Sequence, residues 1–328
     1  MSLSKGTASK KQTFQESLKE WVEHFRTYAK DGQCANYIPA LGKTDPSQLG
    51  IFMIGPDGTT IKSGDWNVSF TLQSISKVIS FLAVSSACGI PQVLERVDVE
   101  PTGDAFNSII RLEMHKPGRP FNPLINAGAI TVASILPGES PQDKFEYLST
   151  FIEKVVGRRL AINQEVYESE WGTAHRNRAL AHYLKETGFL ECEVEEVLEV
   201  YFKQCSLKVN TEDIALIGLM LANNGYHPIR KEQIISKEVS KLTKALMLTC
   251  GMYNSSGKFA AFVGVPAKSG VSGGIMASVP LRAKSLDIPF PDGCGIGIYG
   301  PAIDEYGNSA AGVKLLKHIA REWDLNIF

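Results

Sequence analysis

The sequence predicts an α+β protein, with one antiparallel sheet built from both chain ends and a helical lobe inserted between them. Three observations carry this. Strand signals gather over residues 51–62 and again over 259–299. Between them, apolar residues recur mostly with helical spacing. Strands do not alternate with helices along the chain, which disfavours a doubly wound parallel sheet. The 328 residues, 44% hydrophobic and 21% charged, can bury a sizeable core and exclude a disordered chain. The expected division is a sheet-plus-helix domain from 1–72 and 251–328, and a mainly helical lobe from 73–250.

The first helix is expected over 14–29, where Leu18, Trp21, Val22 and Phe25 follow a helical period, after a polar stretch over 1–12. Residues 51–54 and 59–62 flank Pro56-Asp57-Gly58, a turn sequence, and read as a hairpin. A helix over 73–87 follows, with Ile75, Val78, Ile79 and Leu82 on one face. Further helices are predicted over 141–156, 174–186, 191–204, 211–223 and 237–248. Residues 259–263, 274–279 and 295–299 read as strands, and 313–323 closes as an amphipathic helix.

Composition removes several function classes. Lys and Arg number 34 against 35 Asp and Glu, a formal charge of −1, so no nucleic-acid partner is expected. The acidic set Glu191, Glu193, Glu195 and Glu196 reads as a solvated helix face. The cysteines Cys34, Cys88, Cys192, Cys205, Cys250 and Cys294 form no C-x-x-C pair and no zinc-like spacing. The histidines His24, His115, His175, His182, His227 and His318 form no H-E-x-x-H or close pair, so no metal is expected. No phosphate-binding loop is present, and Gly293–Gly297 enters a strand and reads as packing. No secretory signal is visible over 1–12, and the longest mostly apolar stretch, 78–90, is too short and serine-rich to span a bilayer. A cytoplasmic location without a membrane partner is the expectation.

Two clusters could carry chemistry. Ser74-Ile75-Ser76-Lys77 is an S-x-x-K motif, whose spacing sets hydroxyl and amine on one helical face. A helix N-terminus favours developing negative charge, and a desolvated lysine can act as a general base. The spacing alone is not specific, since Ser2/Lys5 and Ser255/Lys258 share it. Only Ser74/Lys77 follows a strand pair and opens an apolar helix. The second cluster, Lys268-Ser269-Gly270-Val271-Ser272-Gly273-Gly274, has a K-[ST]-G step on a strand, like the third motif of serine β-lactamases. It also reads as G-x-S-x-G, with Ser272, Asp304 and His318 in α/β-hydrolase order. Fewer than sixty residues follow Ser272, however, and His318 falls inside an amphipathic helix. The middle β-lactamase motif is missing, because no S-x-N or Y-x-N occurs between Val78 and Cys250.

In order along the chain, Asn36-Tyr37-Ile38-Pro39, Gln73-Ser74-Ile75-Ser76-Lys77, Asn122-Pro123-Leu124-Ile125-Asn126-Ala127-Gly128-Ala129-Ile130 and Ser169-Glu170 are followed by Arg176-Asn177, Tyr201-Phe202, Cys250-Gly251-Met252-Tyr253, Lys268-Ser269-Gly270-Val271 and Gly307-Asn308-Ser309. This ordered set resembles the serine-dependent glutaminase family. The resemblance implies a β-lactamase/transpeptidase-like fold and hydrolysis of L-glutamine to L-glutamate and ammonia without metal or organic cofactor. It implies that Ser74 attacks the side-chain amide, Lys77 removes its proton, and Tyr253 relays a proton to the leaving ammonia. The N–H groups of Ser74 and Val271 would form the oxyanion hole. Glu170 would bind the α-ammonium, Asn126, Asn177 and Tyr201 the α-carboxylate, and Tyr37 would close the pocket. A homodimer or homotetramer is implied as well.

Each residue also has a plainer reading. Tyr37 could be packing, Asn126 a helix cap, Glu170 a solvated acid near a helix start, and Asn177 a surface amide. Tyr201 and Tyr253 could be core aromatics. Two other functions fit the same pattern: a β-lactamase-like acyl-transfer enzyme acting on peptides or lactams, and a non-catalytic glutamine-binding module.

Overall fold

The computed structural model describes residues 3–114, 116–281 and 288–328, with side chains from residue 13 onward. The first hairpin forms where the turn residues dictate. Gly58 takes a φ of 81°, and Asp57 Oδ1 accepts the Thr59 N–H at 2.9 Å. The chain reverses there, and β1 (Gly50–Ile54) pairs with β2 (Thr60–Gly64).

Two short pairs follow along the chain: β3 (Phe70–Thr71) with β4 (Lys208–Val209), and β5 (Tyr226–His227) with β6 (Glu232–Gln233). The C-terminal strands are β7 (Ala267–Ser269), β8 (Gly274–Val279) and β9 (Cys294–Tyr299). They complete a five-stranded antiparallel sheet in the order β2-β1-β9-β8-β7. The sheet is thus drawn from both ends of the chain, as the sequence predicts.

The helices are α1 (Leu3–Arg26), α2 (Ser76–Cys88), α3 (Ile90–Arg96), α4 (Ile110–Met114), α5 (Asn126–Ser134), α6 (Pro141–Val156) and α7 (Gln164–Gly172). They continue with α8 (His175–Glu186), α9 (Val194–Cys205), α10 (Thr211–Ala222), α11 (Lys237–Cys250), α12 (Ser256–Phe262) and α13 (Ala310–Glu322). The period-based helices therefore form, with ends shifted by a few residues. The first begins earlier than expected and passes into a 3-10 turn over Thr27–Asp31.

Alternation in β1 sorts its side chains to two faces. Ile51 and Met53 pack with Ile296, Ile298 and the terminal helices through Leu18, Val22, Leu315 and Ile319. Phe52 and Ile54 meet Ala215 and Leu219 of α10 on the other face. The second face is closed by backbone-to-backbone contact. A Cβ on Gly295 or Gly297 would lie 1.9 Å from the Ala215 or Thr211 carbonyl oxygen, so the glycine run serves packing, as expected.

The strand expected over 259–263 is a correction, because those residues fall mostly in α12. Phe259 and Val263, four apart, are buried, while Phe262 between them is 64% exposed. That is a helical and not an alternating pattern, which so short an apolar run cannot reveal by itself. The chain then turns at Gly264 (φ 63°) and forms β7, the strand that carries Lys268.

Candidate active site

Ser74 lies in a 3-10 turn (Gln73–Ile75) that leads directly into α2, so Lys77 sits in the first turn of that helix. Gln73 holds a left-handed φ of 47°, a conformation that costs a non-glycine residue energy and is typical of functional turns. Lys77 is completely buried. Its Nζ donates to Asn126 Oδ1 at 2.6 Å and to the Leu124 carbonyl at 3.4 Å. Burial lowers its pKa from 10.5 to about 8, against the smaller opposing pull of Cys205 and Glu170.

Asn126 is the first residue of α5, and the cap position is Ile125, which makes no side-chain cap bond. The capping role is therefore not the one Asn126 plays. Its Oδ1 takes the Lys77 ammonium, and its Nδ2 donates to Asn177 Oδ1 at 2.8 Å. Asn177 consequently faces inward from the first turn of α8. Glu170 lies in the last turn of α7, not at a helix start. It opens to a cavity yet is surrounded by protein, and desolvation raises its pKa to about 7, opposed by the Gln73 side chain and by Lys77. Tyr201, on α9, is buried, and burial holds its phenol well above the ordinary value.

These groups converge. Tyr37, Ser74, Asn126, Glu170, Asn177, Tyr201 and Val271 all line one cavity of about 220 Å³. That volume is smaller than the roughly 300–1,000 Å³ of pockets for drug-sized ligands, and it suits a single amino acid. Tyr37 is 53% exposed, while its phenol is raised in pKa by desolvation and then by Glu170, so its hydroxyl is the crowded end. Size does not identify the site. A larger cavity of about 570 Å³ lies behind Tyr253 and Phe106, and it contains neither Ser74 nor Glu170.

Val271 is brought to Ser74 by the turn after β7. Gly270 passes so near Leu72 that a Cβ there would come within 2.8 Å of the Leu72 carbonyl oxygen. Ser272 Oγ then donates to the Thr71 carbonyl at 2.7 Å and pins the loop. Among the described residues no acceptor takes the Val271 N–H, although the residue is buried against the cavity. Tyr253 has a left-handed φ of 51°. Its ring packs 5.0 Å from that of Phe106 and 4.3 Å from Lys268 Nζ. Its hydroxyl is buried and lacks a hydrogen-bonded partner among the described residues. Burial raises its pKa, and the Ser74 hydroxyl, outside hydrogen-bond geometry but close by, pulls the other way.

The alternative triad is not assembled. Ser272 is buried and held by Thr71, Asp304 accepts the Tyr306 and Asn308 N–H groups, and His318 sits in α13 with its ring 4.7 Å from that of Trp21. Lys258 is exposed on α12, and Ser255 donates to the Met252 carbonyl at 2.8 Å. Ser2 and His115 lie outside the described residues. Among the described residues no group of three His, Cys, Asp or Glu side chains could hold a metal, and no helix is long and apolar enough to cross a membrane.

Sequence reasoning missed Gln73, Phe106, Asn107, Thr173, Arg176 and Cys205, all on the cavity wall. Gln73 and Arg176 adjoin Ser74 and Asn177 within their motifs and could have been taken with them. Phe106, Asn107 and Cys205 carried no signal.

The chain matches the glutaminase family over residues 32–328. It is 70% identical to Glutaminase 2 of Bacillus anthracis over 95% of both chains. Identity to Glutaminase 1 of Bacillus subtilis is also 70%, again over 95% of each. Among solved structures it resembles the covalent complex of the Bacillus subtilis glutaminase YbgJ with 5-oxo-L-norleucine. That similarity has a TM-score of 0.87 and 65% identity, over 95% of this chain and 99% of that one. With this fold and this extent of similarity, the chain belongs to the glutaminase family, enzymes that hydrolyse L-glutamine to L-glutamate and ammonia.

Proposed function

We propose that Ser74 is the nucleophile of this glutaminase and Lys77 its general base. Neutral Lys77 accepts the Ser74 proton as Oγ attacks the side-chain amide carbon, forming a tetrahedral oxyanion. The N–H groups of Ser74 and Val271 stabilise that oxyanion. Collapse breaks the C–N bond, Tyr253 delivers its proton to the departing ammonia and regains one from the Lys77 ammonium, and a γ-glutamyl ester remains on Ser74 with Lys77 neutral again. Water then attacks the ester carbonyl, with neutral Lys77 taking the water proton and returning it to Ser74 Oγ as the ester bond breaks, and glutamate is released.

In the same reading Glu170 pairs with the α-ammonium and Asn126, Asn177 and Tyr201 receive the α-carboxylate, while Tyr37 covers the mouth. The observation that carries the proposal is the gathering of these groups around one small cavity, with a buried lysine of depressed pKa one helical turn from the serine. The unpaired Val271 N–H supports the oxyanion role. Ser74→Ala tests it: ammonia release from L-glutamine falls at least about a thousandfold with the circular dichroism spectrum unchanged. A fully active variant refutes the assignment.

The chain is further read as a cytoplasmic homodimer or homotetramer, in two parts over 1–72 with 251–328 and over 73–250. The exposed apolar side chains Ile110, Met114 and Phe262 support self-association. One apolar cluster lies mostly among the helices of 73–250 and another joins the sheet to α1 and α13, which supports the division, while α10 packs across it onto the sheet.

A further inference from the structure

Cys205 ends α9 and reaches the wall of the Ser74 cavity, yet it takes no part in the proposed steps. It is not a reactive thiol. Burial pushes it up to about 12, so it stays protonated near neutrality and offers only a weak S–H donor and a weak sulfur acceptor. Its sulfur lies 3.7 Å from Ser76 Oγ, a contact made across 129 positions of chain.

What Ser76 does with its own proton decides which of the two donates. The Ser76 hydroxyl donates to the Gln73 carbonyl at 2.7 Å, and the Ser76 N–H bonds to the same oxygen. A serine hydroxyl has one proton, so the Ser76 oxygen is left to accept and the Cys205 thiol donates. The result is a chain from the Cys205 S–H to the Ser76 O–H to the Gln73 carbonyl. Bonds in such a chain polarise one another, and Cys205, Ser76 and Gln73 are all buried, away from competing water.

The far end of the chain gives it a consequence. The Gln73 carbonyl and the Ser74 N–H belong to one planar trans peptide and point in opposite directions. Fixing the carbonyl therefore fixes the direction of the Ser74 N–H, one of the two donors assigned to the oxyanion hole. Gln73 needs such fixing, because its φ of 47° is held at a cost and the turn would gain by relaxing.

We infer that Cys205 is a positioning residue: through Ser76 it holds the Gln73–Ser74 peptide so that the Ser74 N–H stays aimed at the developing oxyanion. This rests on the assignment of Ser74 as nucleophile and of its N–H to the oxyanion hole. The oxyanion exists only after attack, so the contribution of Cys205 falls on kcat and spares binding.

The test measures ammonia release from L-glutamine by the full chain and by Cys205→Ala, Cys205→Val, Cys205→Ser, Ser76→Ala and the double variant Cys205→Ala/Ser76→Ala, with folding checked by circular dichroism. Cys205→Ala and Cys205→Val lower kcat about tenfold with KM within about threefold, and Cys205→Ser, which keeps a donor, recovers most of the loss. A residue that only filled space would give the opposite order, with Val tolerated and Ser costly. The double variant is no slower than Ser76→Ala, because both links serve one chain. Where Cys205→Ala does not fold, Cys205→Val takes its place in the cycle. Unaltered kcat in Ser76→Ala or in a folded Cys205→Ala or Cys205→Val, a loss confined to KM, or losses that multiply in the double variant overturn the inference. A wild type that releases no ammonia, or a fully active Ser74→Ala, refutes the Ser74 reading itself and this inference with it.

Discussion

Replacing Lys77 by Met separates what this lysine does for the reaction from what it costs the fold. The side chain is fully buried, and its pKa falls from 10.5 to about 8 chiefly through desolvation. At about 1.4 kcal/mol per pH unit, that drop is a folding penalty of about 3 kcal/mol. The sign follows from proton binding. Between about 8 and 10.5 the unfolded chain holds the proton and the folded chain does not, so stability rises with pH across that window. Below about 8 both states are protonated and the whole penalty is present. Met fills similar space without a charge and has no such dependence. The free-energy difference, wild type minus Lys77→Met, should therefore increase by about 2–3 kcal/mol between pH 7 and pH 10. Urea unfolding of both proteins at four or five pH values measures it. A difference that stays flat over this range refutes the argument that Lys77 is a desolvated base. The variant should also release no ammonia, so the stability gained near neutrality comes with loss of function.

Two further predictions follow from single contacts. Asn126→Asp puts a carboxylate 2.6 Å from Lys77 Nζ in place of a neutral amide oxygen, which favours the ammonium form. With Lys77 as the proposed general base, the rising limb of kcat/KM against pH is expected near 8 in the wild type and should move alkaline by about one unit or more in the variant; an unmoved limb would detach Lys77 from the general-base step. Gly297→Ala sets a Cβ 1.9 Å from the Thr211 carbonyl oxygen at the sheet face of α10, where two rigid elements meet. It should destabilise the fold by about 3 kcal/mol or more, measured as a lower denaturation midpoint.

The helices over 141–156 and 211–223 were legible because their apolar periods are long, and capping boxes at Ser140–Asp143 and Asn210–Asp213 reinforce their starts. The hairpin at Pro56-Asp57-Gly58 was legible because only a few residue types accept a left-handed φ. The helix α12 was not, since its five-residue apolar run satisfied both periods and its packing against the core settled the choice.

The same boundary runs through the site. Ser74 and Lys77 lie within one helical turn, so their spacing belongs to the sequence, as does the resemblance carried by the ordered motifs. Asn126 looked like a cap until the fold set it between Lys77 and Asn177, residues 49 and 51 positions away in either direction. Phe106 and Cys205 reached the cavity wall with no motif at all. By itself the sequence determined the chemistry available, the local periods and the family. Tertiary structure alone decided which side chains lost water and which polar groups came together, as with Lys77 and Asn126. Desolvation depends on everything packed around a group, and that is a property of position in space rather than of order along the chain.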